Sequence, residues 1–350
     1  MTSLATIPLV GIFSVAVIAT WVAGTSLARN TDVLDRRFGL GEALGGMVLL
    51  AIAGSLPELA ITVSAAAKGN LDLAAGNLIG GIAVQTMVLV ICDAVVEGER
   101  PLTYLVGSLV PVLEGALVIL VAVGVLLGAL LPRSIALGPV SPASLAIVVL
   151  WLGGILVLNR VRKAPQWSVS MPGSRPGRPH HRAAHQHPRA PSRRPARRAL
   201  VLFALASLVT LGAGVVLEIA GSELASRAGV NGVIFGATVL AVATALPEIS
   251  SGVSAVRIGD HQLAMGDIFG GNAFQLCIFL LADLIAGRAV LPAAGDLNSW
   301  LAALGIALTA VFAAGVIARP SRRILRLGAD SWVALVVFGL GIAGLLALPQ

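Results

Sequence analysis

The chain repeats itself at a fixed offset of 190 residues, and the repeated unit places a proline and a carboxylate inside apolar sequence. Leu56-Pro57-Glu58 recurs as Leu246-Pro247-Glu248, Gly80-Gly81 as Gly270-Gly271 and Gln85 as Gln275, with Gly76 matched by Gly266 and no insertion between them. A repeat of this length makes two related halves, so what the first copy folds into, the second must also fold into. Glu58 and Glu248 then occupy equivalent places.

Those halves belong in a bilayer. Of 350 residues, 57% are hydrophobic and only 12% charged, far from the roughly 25% charge of a soluble domain. Apolar runs of about 20 residues recur, each long enough to cross a hydrocarbon core of about 30 Å. They predict ten helices, five per half: 8–27, 40–67, 73–96, two more ending near 131 and 158, then 199–220, 233–256, 263–285, 297–316 and 332–348. The expected fold class is an all-α polytopic membrane protein. The first run lacks a basic leader and a small-residue cleavage site, so it reads as a retained span. Residues 29–37 read as a charged loop after it.

Between the halves the composition changes. Residues 160–198 hold eleven Lys and Arg, four of the five histidines and many prolines, which cannot build a core and read as a disordered linker. The domain boundaries are therefore 1–159, 160–198 and 199–350. Cytoplasmic loops carry the Lys and Arg excess. With both termini outside, twenty of the 24 basic residues fall on the inner side, the linker among them. Five spans per half is an odd number, so the second copy enters from the opposite side and the repeats are inverted. Such repeats characterise many secondary transporters, whose sites lie near the midplane where helices are interrupted.

The net charge of +7 gathers on loops rather than on a soluble face, so nucleic acid is not an expected partner. The bilayer and inorganic cations are. The linker could contact anionic lipid or serve as a solvated tether. Cys92 and Cys277 sit in apolar helical runs and read as small core residues. No oligomerisation signal is present, and His261 and Glu114 receive no role.

A carboxylate near the bilayer centre costs about 2.5–3.5 kcal/mol on insertion scales, so Glu58 and Glu248 should face the bundle interior or a hydrated cavity. Pro57 and Pro247 each remove a backbone donor, freeing carbonyl oxygens around Ala53 and Ala243. Asn77, Gly81 and Gln85 share one helix face, as do Asp267, Gly271 and Gln275. The paired glycines Gly80, Gly81, Gly270 and Gly271 permit close helix approach. Oxygen ligands in tight packing suit Ca²⁺ better than zinc or copper, for which no His or Cys set exists.

The chain resembles the calcium/cation antiporter superfamily, which includes sodium/calcium and proton/calcium exchangers. The resemblance rests on two alpha repeats, here Ala53-Gly54-Ser55-Leu56-Pro57-Glu58-Leu59 with Gly76-Asn77-Leu78-Ile79-Gly80-Gly81-Ile82, and Ala243-Thr244-Ala245-Leu246-Pro247-Glu248-Ile249 with Gly266-Asp267-Ile268-Phe269-Gly270-Gly271-Asn272. It implies that Glu58 and Glu248 are the central cation (metal) ligands, that Ser55 and Thr244 add oxygens from the broken helices, and that Gln85 and Gln275 hold the polar-ligand positions. Departures are Gly54 for the threonine of the first repeat, Ala245 for the serine of the second, Gly81 and Gly271 for serines, and Gln275 for a common acidic ligand. These lost groups resemble sodium ligands.

The expected function is antiport of Ca²⁺ or a related cation against Na⁺ or H⁺ by alternating access, in the plasma (inner) membrane of a bacterium-like cell. The ions are cargo, and no resident cofactor or catalytic residue is expected. Two carboxylates in one dry site cannot both stay charged easily without a cation, so cation release favours proton uptake. Alternatives are a monovalent cation/proton antiporter on the same fold, a channel, or an intramembrane enzyme using the glutamates as acid and base. Gln85 and Gln275 could instead serve inter-helix hydrogen bonding. Secondary ligand candidates are Asn77, Asp267, Asn272, Asp93 and Asp283. Asp267 could equally cap or pack, and Asp93 and Asp283 could be ordinary helix-end charges.

Overall fold

The architecture follows a computed structural model that describes residues 4–38, 46–163, 196–293 and 295–348. Each half opens on a 33-residue helix, α1 (Thr6–Phe38) and α8 (Ala196–Ala228), offset by the same 190 residues. At 1.5 Å per residue each is about 50 Å long, so it must tilt across the bilayer or project beyond it. Residues 29–37 are therefore helical and not a loop. Asn30 is buried and donates to the Ser26 carbonyl, and Leu34 is buried beyond it.

In the first half there follow α2 (Gly46–Gly54), α3 (Leu56–Ala67), α4 (Leu71–Val95), the single turn α5 (Leu102–Leu105), α6 (Val110–Ala129) and α7 (Pro142–Lys163). The second half runs through α9 (Gly232–Phe235), a π-turn at Gly236–Leu240, α10 (Ala241–Thr244), α11 (Leu246–Arg257), α12 (His261–Gln275), α13 (Ile278–Ala286), α14 (Asp296–Ala318) and α15 (Ala329–Ala347). A two-stranded hairpin, β1 (Arg323–Ile324) with β2 (Leu327–Gly328), joins the last two helices. Among the described residues eight helices are long and apolar enough to span a membrane, or nine if the bent pair Gly232–Thr244 and Leu246–Arg257 is one span. This is an integral membrane protein.

The prolines break the helices as their chemistry requires. Pro57 and Pro247 sit in the first turns of α3 and α11, where no amide donor is needed, and the breaks fall at Ser55 and Ala245, again 190 apart. The second break bends its span by 44°. Two further differences from the predicted helices appear in the second half: α12 stops at Gln275 and α13 restarts at Ile278, whereas its counterpart α4 is continuous. The linker is also shorter than 160–198, because α7 continues to Lys163 and α8 begins at Ala196; residues 164–195 lie outside the described residues.

The halves interlock rather than sit side by side. α1 packs on α8, α6 on α12 and α14, and α14 on α4. Two glycines let the leading helices cross close to the broken ones. A Cβ on Gly24 of α1 would lie 2.5 Å from Pro247 Cγ, and one on Gly214 of α8 would lie 2.6 Å from Ala60 Cβ and 3.0 Å from the Pro57 carbonyl. Gly24 and Gly214 are themselves 190 apart, so the leading helix of each half leans on the broken helix of the other. Gly214→Leu is expected to lower the thermal midpoint of the detergent-solubilised protein by several degrees, with overpacking of about 1–3 kcal/mol as the cause; an unchanged midpoint would refute this contact.

Burial sorts the helices by depth in the bundle. In α4, 72% of the spanning window is buried, against 28% in α1, α8 and α15. Val15, Ile18, Leu205, Leu208, Val336 and Leu340 are exposed on those outer helices, a surface that suits acyl chains. The carboxylates sit on the inner ones.

Candidate functional site

Glu58 and Glu248 stand in the first turns of α3 and α11, beside the helix breaks. Glu58 is fully buried and Glu248 is 9% exposed. Each crosses to the other half's break. Thr244, the last residue of α10, donates its hydroxyl to the Ala241 carbonyl at 3.3 Å and lies near the Glu58 carboxylate, and a Cβ at Gly54, the last residue of α2, would lie 3.8 Å from Glu248 Oε1. Thr244 and Gly54 are copies under the 190-residue offset. One glutamate therefore meets a hydroxyl and the other meets bare backbone. The two carboxylates are close enough to repel one another, and Asp267 adds a third negative charge beside Glu248.

Gln85 Nε2 donates to Glu58 Oε1 at 3.0 Å. Gln275, its copy, does not take the matching place at Glu248. Its Nε2 instead donates to the Leu78 carbonyl at 2.7 Å, lying where a Cβ on Gly81 would come within 2.4 Å. Glycine at 81 is thus the condition for Gln275 to reach α4. Glu58 Oε2, Glu248 Oε2 and Gln275 Oε1 are buried without a hydrogen-bond partner among the described residues. Buried acceptors are ordinarily satisfied, so three orphaned oxygens near one another's helices are what a cation-binding region should show. Among the described residues no three His, Cys, Asp or Glu converge closely enough to hold a metal alone. A cation bound here would need further oxygens from hydroxyls, amides and broken-helix carbonyls. Ser55 is buried at the first break.

The secondary candidates separate. Asn77 is fully buried with both amide atoms unpartnered. Asn272 Nδ2 donates to Thr86 Oγ1 at 3.1 Å, tying α12 to α4. Asp267 accepts from Ser251 Oγ at 2.5 Å and lines a cavity of about 110 Å³ with Thr25, Arg29, Ser250, Ser251 and Ser254. Asp93 and Asp283 point elsewhere. Asp93 accepts from Leu102 N, Gly328 N and Ser331 Oγ, each at 2.7 Å, and Asp283 from Ser141 N at 2.8 Å and Val290 N at 2.7 Å. Both use both oxygens to pin loops to the bundle, contacts that fit the helix-end reading of these two residues. The glycine pairs also differ. Gly80 is pressed onto Ala237, where a Cβ would come within 2.3 Å of its neighbour, while Gly270 and Gly271 meet nothing within 4 Å among the described residues.

Some residues were not visible from the repeat. Glu114 is buried and pairs with Arg162 near the end of α7; that arginine had been counted with the linker. Glu218 of α8, 1% exposed, accepts from Lys68 Nζ at 2.5 Å and Ser64 Oγ at 2.8 Å. Its copy is Ala28, so the 190-residue match gives no signal for it. Gly24 and Gly214 do obey the offset, which is the signal that could have found them.

Comparison with known proteins places this geometry. The family model described as sodium/calcium exchanger protein matches residues 8–162 and 198–347. An antiporter candidate named CaxA from Alkalimonas amylolytica is 26% identical over 77% of this chain and 76% of its own. The inner membrane protein YrbG of Escherichia coli (strain K12) is 26% identical over 71% of each chain. Among solved structures, an H⁺/Ca²⁺ exchanger, CAX, superposes with a TM-score of 0.67 at 17% identity, covering 98% of this chain and 82% of that one.

Proposed function

Because the chain belongs to the sodium/calcium exchanger protein family, we propose that it is a secondary cation antiporter in which Glu58 and Glu248 bind one divalent cation, Ca²⁺ by preference, between ten spans arranged as two inverted five-helix repeats. The observation that carries the reading is the crossed pair: each half's buried glutamate reaches the other half's helix break and keeps an oxygen without a hydrogen-bond partner. A hard cation takes six to eight oxygens at 2.3–2.6 Å. Glu58, Glu248, Thr244, Ser55 and the carbonyls at the breaks supply a set of that kind, with Gln85 orienting Glu58. The charge count assigns both termini to the outside, and residues 160–198 to the cytoplasm.

The two faces of the site support alternating access. The cavity lined by Thr25, Ala28, Leu50, Ser251, Leu263 and Asp267 lies on one side. Adding or subtracting 190 gives its counterpart on the other side: Val215, Glu218, Leu240, Ile61, Leu73 and Asn77. All of these except Val215 are at most 1% exposed. One side holds a cavity with hydroxyls and a carboxylate among its lining residues, while its twin is packed shut.

Protons are the proposed counter-ion. Gly54, Ala245, Gly81 and Gly271 carry no hydroxyl where the resemblance expects sodium ligands, whereas both glutamates are present. Vesicles containing the purified protein and loaded at acid pH should accumulate Ca²⁺ from a neutral medium, and Na⁺-loaded vesicles at equal pH should not. Uptake that follows the sodium gradient and ignores the pH gradient would overturn the proton version. Uptake of monovalent cations alone would favour a monovalent cation/proton antiporter.

A further inference from the structure

The hairpin between α14 and α15 is built against ordinary turn chemistry. Leu325 and Arg326 form its two-residue turn with φ of 50° and 70°, a left-handed pair that Asn-Gly or Asp-Gly usually fills. Strain of this kind persists where the surroundings over-determine the backbone. Here they do. Arg323 donates to the carbonyls of Asp93, Val96, Gly98 and Arg326. Asp93 holds Gly328 N, and Trp332 Nε1 donates to the Ile324 carbonyl at 3.0 Å.

What the scaffold holds out is apolar and basic. Ile324 is 64% exposed and Leu325 82%, with exposed Arg322 and Arg326 on either side. Arg100, over the Tyr104 ring at 4.8 Å, bonds the Ser321 carbonyl and adds a third guanidinium. Glu97 and Glu99 lie on the loop beside Arg100 and oppose two of these three guanidinium charges, so the exposed groups keep a net charge of +1, carried on the hairpin side by Arg322 and Arg326. The hairpin leads directly into α15, whose exposed Val333, Val336 and Leu340 face acyl chains, and Trp332 marks the interface where tryptophans concentrate.

We propose that residues 323–328 form a rigid wedge in the headgroup layer, with Ile324 and Leu325 inserted beneath it and Arg322 and Arg326 binding anionic phospholipid headgroups. Arg319 and Arg323 are excluded from that role because backbone carbonyls already hold them. Basic residues near an anionic surface attract it within a Debye length, and the rigid turn removes the ordering cost of insertion.

The test uses full-length protein carrying Cys277→Ala and Leu325→Cys, labelled with a small fluorophore, in vesicles of phosphatidylcholine with a minority of phosphatidylglycerol. Bromine is placed on the acyl chains of one lipid or the other at equal mole fraction. The expected result is weak quenching by aqueous iodide, strong quenching by brominated lipid, and stronger quenching when the bromine is on phosphatidylglycerol. Arg322→Gln with Arg326→Gln should erase that difference while brominated lipids still quench. Free access of iodide to the label overturns the wedge, and equal quenching by both brominated lipids in the parent overturns the anionic site.

Discussion

Replacing Glu58 with glutamine is expected to abolish Ca²⁺ flux while leaving the protein folded, and Glu248→Gln should do the same. The expected fall is at least about 100-fold in each, equivalent to about 2.7 kcal/mol of lost cation stabilisation. The fold survives because the substitution is isosteric and the amide oxygen at 58 can still accept from Gln85 Nε2, the bond now made at 3.0 Å. Removing a buried charge also relieves its desolvation, so the thermal midpoint should hold or rise as transport is lost. Opposite movement of the two readouts separates a ligand from a packing residue. Parent-like flux in both variants would sink the site assignment, and loss of folding would mean the carboxylates act structurally.

The fold was legible where copies could be compared. The 190-residue offset, the proline in each apolar run and the length of those runs lead to broken helices at Ser55 and Ala245, where the structure has them. The offset identifies equivalents, not partners. Nothing in the chain says that Glu58 faces Thr244 while Glu248 faces Gly54, because that crossing arises from how the halves interlock through Gly24 and Gly214. Gln275 shows the same limit: its equivalence to Gln85 suggests a bond to Glu248, but the absence of a side chain at Gly81 lets it reach the Leu78 carbonyl instead. Residues 29–37 misled because charge was taken as loop, although a helix that outruns the bilayer is charged at its end. For Asp93 and Asp283 periodicity places a carboxylate on a face without saying which amides it meets, so both a ligand and a helix-end reading stayed open.

Breaking the Lys68–Glu218 pair should open the side of the site that is now closed. Glu218 is buried between α3 and α8, and Lys68 and Ser64 converge on a single carboxylate oxygen, with Asn70 Nδ2 to Ser222 Oγ at 2.9 Å continuing the clasp. The positions related to it by the repeat, Ala28, Ser254 and Ile258, carry no charge, and the cavity includes the first two. The ion pair therefore stabilises one of two related arrangements, and its own copies, Ala28 and Ile258, cannot form an ion pair to stabilise the other, which is the differential interaction a two-state equilibrium responds to. Lys68→Met leaves Glu218 with only the Ser64 hydroxyl. A shift of about tenfold toward opening on the Lys68 side corresponds to about 1.4 kcal/mol, modest for a pair in which one partner is buried and the other is 45% exposed. Reaction with a membrane-impermeant thiol reagent reads this directly. In the parent, Ser254→Cys should react readily and Ile61→Cys, fully buried, should be protected; in the Lys68→Met background the first should slow and the second accelerate by about tenfold. Glu218→Gln, which keeps an acceptor for Ser64, should move both rates the same way. If neither rate responds to either substitution, the clasp does not hold the closed side, and the apolar packing of Ile61, Leu73 and Leu240 must close it unaided.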